Sequence, residues 1–558
     1  MNKFYRLLIF ICCVPLLGAV NTTQFQISGV DGDVLLNVQQ RLIELYKDKI
    51  LIREDPNVVR EQVEKALYPY GFFKPHVSLG PGANSIHIQP GPQMLITSLQ
   101  ITVTGEGAAR PEIKKALRDL PIKAGQPLNT KLYDDAKDIL STTAENLGYL
   151  RAAFQTSEIK IDKQRYTANI TLIFNTGPQY YFGQLHFDPT YISPDLLRRY
   201  VPFKPGEPYS TEQILALNSN LSGSGYFSSV NVRPTTQDVS HVPIDVSFQR
   251  VKRITYSLGG GYGTDTGPRG LAGLHIVPVN RYGHKFNALI QGSFTENALL
   301  AQYTIPGRNP VADKYSLGGS LSTLNYNSGD SNALLLSIAQ QHVVNNFQRA
   351  LSVNELLERY NYTDQKTLQK SLLYPKAVFT WSKTSDQLFS PSGYNITING
   401  LAASKAVLSE VNLAQGSIDI KAAMTFDAIR TRLYLHGIQG ITEIKNVDEI
   451  PLSLAQLLGG AANLKGYSYN SLGPGKILTF GGVELQKETV KKWYVVGFVD
   501  AGNVYKPSLT KFKYDIGIGL MWVSPIGPIK VGVAQAVDSR FDFIGRAPKL
   551  IINMGPDL

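Results

Sequence analysis

Past position 13 this chain of 558 residues has no cysteine; its only two, Cys12 and Cys13, sit side by side near the N-terminus. The absence excludes a disulfide scaffold, a thiolate metal site and a cysteine nucleophile. Long apolar runs are also missing. The one such run, Leu7–Leu17, follows Lys3 and Arg6 and precedes the small residues Gly18 and Ala19, which reads as a signal peptide over residues 1–19. It is too short to span a bilayer comfortably, and no other segment resembles a transmembrane helix. Both cysteines fall inside this leader, and Cys13 lacks the small residues before it that a lipoprotein signal needs. Charge of one sign is present but not clustered. The formal net charge is +11, yet Lys and Arg are scattered rather than interleaved with aromatics. Nucleic acid is therefore not an expected partner, whereas an anionic lipid surface is.

Catalytic constellations are lacking as well. The eight histidines (His76, His87, His186, His241, His275, His284, His342 and His436) show no pairing with Glu at helical spacing and no ligand spacing. No Gly-x-Ser-x-Gly elbow occurs. Gly473-Pro-Gly475-Lys476 departs from a phosphate loop because Ile477 stands where Ser or Thr is needed. The chain does not read as an enzyme, and no catalytic residue, metal or cofactor is expected; pattern alone leaves open a hydrolase built from a luminal Ser and His.

What is there is period-2 alternation. In Arg253–Tyr262, Ile254, Tyr256, Leu258 and Tyr262 share one face, opposite Thr255, Ser257, Gly259 and Gly261. Such ten-residue segments joined by turns recur to the last residue, Leu558, and are the signature of a transmembrane β-barrel. The closing segment sets Leu550, Ile552, Met554 and Leu558 on one face against Lys549, Asn553 and Gly555. A barrel's last strand has to meet its first, because an open edge in lipid is costly. Sixteen strands are expected from Arg253 onward, with the longest connection between Thr442 and Gly473. An even number puts both barrel ends on one side. The turn Thr264–Gly267 and the 442–473 connection are then external, and Asn280–Gly283 is periplasmic.

Ahead of the barrel lies a repeat. Gly71-Phe-Phe73, Gly148-Tyr-Leu150 and Gly225-Tyr-Phe227 fall at a constant interval, each ending a helical pattern and opening a strand. Gly125-Gln-Pro-Leu-Asn129 parallels Gly206-Glu-Pro-Tyr-Ser210; each precedes a helix, and Ser210 with Gln213 has the spacing of a capping box. The middle unit predicts strand Ile96–Gly105, helices Pro111–Leu120 and Thr130–Leu147, and strands Ala152–Ile161 and Tyr166–Phe174. Each unit is therefore β-α-α-β-β, and short joints such as Gly91-Pro92-Gln93 and Gly177-Pro178-Gln179 favour a semi-rigid arm.

Three such units feeding a sixteen-strand barrel resemble the POTRA-plus-barrel superfamily of outer-membrane insertases and secretion pores. Leu464-Lys465-Gly466-Tyr467, in the sixth external loop, resembles that family's Val-Arg-Gly-Phe/Tyr tip. Phe498-Val-Asp500-Ala-Gly502 resembles the Phe-x-Asp-x-Gly strand motif on which the tip docks. The ending Met554-Gly-Pro-Asp-Leu558, Gly263-Thr-Asp-Thr-Gly-Pro-Arg269 and Asn280-Arg-Tyr-Gly-His284 are similar to the TamA branch. BamA relatives carry five POTRA domains, and two-partner secretion pores carry two plus a plug helix; three units fit neither. The resemblance implies a transmembrane β-barrel of 16 antiparallel strands preceded by three α+β POTRA (β-α-α-β-β) domains. Its divisions are a signal peptide at 1–19, POTRA domains at 23–94, 95–178 and 179–251, and a barrel at 253–558. It further implies the outer membrane of a Gram-negative bacterium, with the POTRA domains in the periplasm and outer-membrane lipid around the barrel. The implied partners are a TamB-like inner-membrane-anchored periplasmic protein and unfolded outer-membrane clients, autotransporters among them.

Two site expectations follow. Asp500 shares an inward face with Phe498 and Gly502, opposite Val495, Val499 and Ala501, and is expected to pair with Lys465; otherwise it is a solvated luminal carboxylate. Lys lacks the planar fork of the family's Arg, so the tip should dock less rigidly. The second is a weak lateral-gate seam between the first and last strands, through which clients would be inserted. Gly259, Gly260 and Gly261 interrupt the first strand, Gly555 and Pro556 interrupt the last, and Leu558 ends it. The alternative function is a pore that conducts protein or solute through the lumen.

Overall fold

The computed structural model describes residues 26–47, 56–80, 85–235, 240–386, 388–507, 511–525, 527–540, 542, 544 and 547–555. The expected signal peptide, both cysteines, Pro556 and Leu558 lie outside them. Two compact units share the chain. One holds the first two repeats and part of the third, and the other holds the barrel together with Phe187–Pro202 and Ala216–Val232.

Each repeat is a three-stranded sheet with two helices. The first contains β1 (Gln26–Ser28), α1 (Gly32–Lys47), α2 (Pro56–Leu67), β2 (His76–Leu79) and β3 (Ser85–Gln89). The second contains β4 (Leu95–Thr104), α3 (Pro111–Arg118), α4 (Thr130–Asn146), β5 (Ala153–Asp162) and β6 (Thr167–Asn175). The third contains β7 (Tyr181–Phe187), α5 (Pro194–Arg198), α6 (Thr211–Gly223), β8 (Phe227–Pro234) and β9 (His241–Arg250). Strand orders are β1-β3-β2, β4-β6-β5 and β7-β9-β8, so the last strand is always central.

The second repeat shows why the pattern folds this way. The Asn129 side chain accepts the Lys131 N–H at 2.9 Å and starts α4. Gly148 follows α4 with φ 85°, a left-handed stop that Gly71 (φ 85°) and Gly225 (φ 77°) repeat. Ala168, Ile170, Leu172 and Phe174 of β6 then share one core with Ile113, Ala136, Leu140 and Ala144. Fully burying one large apolar side chain stabilises by about 1.5–3 kcal/mol, enough for a unit of this size to hold its own core.

From β10 (Ile254–Gly263) to β25 (Lys549–Met554), sixteen strands pair antiparallel in chain order. Alternation separates lipid from lumen. Tyr256 and Leu258 on β10 are 78% and 85% exposed. Cross-strand register carries Leu258 through Ala272, Ile290, Leu299, Leu321 and Leu334 to Leu357, one continuous apolar row around the outside. Height varies around the wall. β16 (Phe347–Tyr362) and β17 (Leu368–Thr384) have 16 and 17 residues, whereas β12 (Lys285–Gly292) has 8 and β25 has 6. A tilted spanning strand needs roughly 9–11.

Two expectations need correction. The long connection runs over 445–476, because β20 (Thr431–Ile444) stays paired past Thr442, whose N–H donates to the Lys476 carbonyl at 2.7 Å. The three glycines do not break β10's ladder with β11 (Gly267–Ile276): Gly259, Gly260 and Gly261 face Leu271, Gly270 and Arg269 in unbroken register. Glycine keeps its backbone N–H and C=O, so a paired strand passes through it.

Two further sequence motifs meet beside the barrel. The Tyr226 hydroxyl donates to the Gly283 carbonyl at 2.7 Å, and Lys285 Nζ donates to the Ser224 carbonyl at 2.6 Å. Burial pushes the Tyr226 hydroxyl well above the usual tyrosine range. Gly283 has φ 76°, and a Cβ there would lie 2.3 Å from Leu196 and 2.5 Å from the Tyr226 hydroxyl.

Candidate functional site: a luminal dock beside an unpaired seam

The sixth external loop folds back on itself before its tip reaches the wall. Asn463 N–H donates to the Gly460 carbonyl and Tyr467 N–H to the Leu464 carbonyl, both at 3.1 Å. The Asn463 side chain accepts from Gly459 N–H at 2.8 Å and Leu464 N–H at 2.7 Å. Leu464 and Tyr467, essentially fully buried, pack with Leu458, Leu478, Phe480, Val504 and Ala536.

Between them Lys465 reaches the inner face of β21 (Ile477–Val490), β22 (Trp493–Tyr505) and β23 (Lys513–Ser524). Its Nζ lies 2.7 Å from Asp500 Oδ2, 3.3 Å from Glu484 Oε1 and 4.5 Å from the Phe498 ring centroid. Asp500 and Glu484 side chains are 1% and 5% exposed. Burial opposes the Lys465 charge, but the two carboxylates outweigh it and hold the ammonium above the ordinary lysine range. Lys530 meets the second Glu484 oxygen at 2.8 Å, and Gln486 donates to it at 2.9 Å.

Asp515 stands directly opposite Asp500 across β22 and β23. Two facing carboxylates repel. The tip relieves this: Lys465 takes Asp500, and Gly466 N–H donates to Asp515 Oδ2 at 2.9 Å. Position 466 has to be glycine, since a Cβ there would lie 2.8 Å from the Asp515 Cβ and 2.9 Å from the Ala536 nitrogen. At Gly482 a Cβ would meet Asp500 Oδ1 at 2.3 Å.

Of the residues the sequence singled out, the structure brings Leu464, Lys465, Gly466 and Tyr467 together with Phe498 and Asp500. At Gly502 a Cβ would lie 2.8 Å from the Thr479 carbonyl, so this glycine serves the close approach of β21 and β22. Sequence reasoning missed Glu484, Asp515 and Lys530. A signal existed: Glu484 and Gln486 alternate with the exposed Val483 and Leu485, which puts two polar groups on the inward face.

The seam lies between the first and last strands of the sixteen-stranded sheet. Among the described residues no ladder pair joins β10 to β25. Ile552 N–H instead donates to the Thr264 side chain at 3.2 Å. Gly259, Gly260 and Gly261 lie on β10, and Gly555 follows β25, its N–H donating to the Pro528 carbonyl at 3.1 Å.

Family models match three stretches. One, described as Omp85 superfamily domain, covers residues 282–542. A POTRA model, Surface antigen variable number repeat, covers 180–250, and POTRA domain TamA domain 1 covers 24–88. The outer membrane protein assembly factor BamA of Neisseria meningitidis serogroup B is 23% identical over 474 residues, which is 70% of this chain and 59% of that protein. The chain thus spans about three-fifths of the length of this curated relative. A structure of BamA from Haemophilus ducreyi lacking POTRA domains 1–3 aligns with a TM-score of 0.67 and 16% identity, over 83% of this chain and 99% of that one. CdiB from Acinetobacter baumannii aligns with a TM-score of 0.46 and 11% identity, over 94% and 100%.

Proposed function

From a chain that carries an Omp85 superfamily domain behind POTRA domains, in the outer membrane of a Gram-negative cell with those domains in the periplasm, we propose an assembly factor that inserts client β-barrels laterally, through the seam between β10 and β25. The observation that carries this reading is that no ladder joins those strands among the described residues. An unpaired backbone group in hydrocarbon costs several kcal/mol, so an open edge at membrane depth favours any strand that can pair with it. A client strand added there by β-augmentation leaves water with its amides satisfied. No energy source is needed beyond the client's own folding.

Autotransporters are the proposed clients, with a TamB-like periplasmic partner. The TamA-type model over residues 24–88 and the similar motifs at 263–269, 280–284 and 554–558 support that branch. The docked tip argues against the pore reading, since loop 6 fills lumen that a conducting path would use.

The test is integration into liposomes. The full chain is reconstituted alone, an unfolded autotransporter barrel is added, and protease-protected, heat-modifiable product is scored against empty vesicles. Faster integration is expected. No acceleration together with a steady ion conductance would replace this reading with a secretion pore.

A further inference from the structure

The sixth loop does more than dock on the wall; it also touches β25 and the turn that ends β10. Asp265, in the turn between β10 and β11, accepts the Ala461 N–H through Oδ2 at 2.5 Å. Lys549, the first residue of β25, donates to the Tyr467 carbonyl at 2.9 Å. Asp265 and Lys549 face one another at 4.0 Å, with side chains 13% and 31% exposed. Gly460 makes the approach possible. Its φ is 110°, and a Cβ there would lie 2.8 Å from Asp265 Oδ2.

Neither contact involves the carboxylates of the dock. Ala461 and Tyr467 flank Lys465 and Gly466, which the wall holds through Asp500, Glu484 and Asp515. Besides the direct Thr264–Ile552 hydrogen bond, the two sides of the seam are therefore tied to each other through a loop that is anchored elsewhere. Parting them must break the Asp265 or Lys549 contact, or drag the tip off three buried carboxylates.

We infer that Asp265, Lys549 and the loop 6 backbone form a polar latch that holds the external end of the seam closed and sets how often it opens. The latch rests on the lateral-insertion reading for its purpose, but not for its existence. An incoming client strand that displaces β25 releases it by moving Lys549 away from Tyr467. Asp265 and Lys549 act as positioning residues; neither is placed against the client.

The experiment separates seam motion from client assembly. Spin labels on Leu258→Cys and Leu550→Cys, both lipid-facing and exposed, report seam width in the full chain in liposomes with no client present. Asp265→Asn and Lys549→Met are each expected to raise the open population about tenfold, the change that losing one charge-assisted hydrogen bond brings. Heat-modifiable mobility in the same samples verifies that the barrel is folded. Lys549→Arg, which keeps a donor and a charge, should restore the closed distance. Distances unchanged from the parent in both Asp265→Asn and Lys549→Met would overturn the latch. An unlatched seam that opens but integrates clients no faster than the parent would leave the latch standing and count against lateral insertion.

Discussion

Two stretches of the same barrel wall are built on opposite principles. Across β21, β22 and β23 the ladders run ten residue pairs or more, and the inner face buries Glu484, Asp500 and Asp515. At the seam there is no ladder among the described residues; a threonine hydroxyl and two charged side chains span the gap. The difference teaches where rigidity is needed. A carboxylate cluster is tolerable only where its partners are fixed, so the tip is anchored on the firm wall. The proposed gate requires contacts that exchange readily, and side chains at the external end of the seam provide them. Loop 6 connects the two.

The largest expected effect strikes the firm side. Asp500→Ala leaves Lys465 with Glu484 alone and should cost about 3 kcal/mol, near the lower end for a broken buried pair because one partner remains. Protease sensitivity of loop 6 in the folded barrel checks it, and cleavage no faster than the parent would count against the dock. Gly466→Ala comes next, because its Cβ meets the wall within 2.9 Å. Overpacking of this kind costs about 1–3 kcal/mol and should free the tip without unfolding the strands, again read by cleavage within 460–470.

Smaller changes belong to the loose side. Thr264→Val removes the acceptor for Ile552 N–H, a loss of about 1 kcal/mol that should speed hydrogen exchange in β25 while leaving β22 unchanged. Gly260→Ala should do least. Its added methyl finds open space, with only the Arg269 carbonyl at 3.8 Å, so the effect is a stiffer β10 worth about 0.5–1 kcal/mol. Slower client integration with slightly raised barrel stability is the expected reading.

Much of the firm side was legible in the chain. Alternation alone faces Asp500 inward, since Val495 and Val499 must meet lipid, and the Leu464–Tyr467 resemblance supplies its cation. The structure adds how lysine manages without arginine's fork: its ammonium reaches Asp500 and Glu484 on neighbouring strands at once. Asp515 was not legible because its importance lies in register. Only the pairing of β22 with β23 sets it opposite Asp500. The seam was legible as glycine-rich; what the sequence did not show is that β10 stays paired with β11 through all three glycines, because a glycine weakens a strand without removing its hydrogen bonds. Asp265 and Lys549 lie too far apart in sequence for any local pattern to join them. The helices and strands of the second repeat were legible, because a left-handed glycine stop and a period-2 core strand are both local signals.

The most direct test of the central claim is client integration by a chain whose seam is locked. Tyr262→Cys and Ile552→Cys lie on the lipid face beside the Thr264–Ile552 contact, and no cysteine after Cys13 competes with them. The oxidised chain should integrate an autotransporter barrel no faster than empty vesicles, and reductant should restore the rate. Equal integration by the oxidised and reduced chains would contradict insertion through the seam.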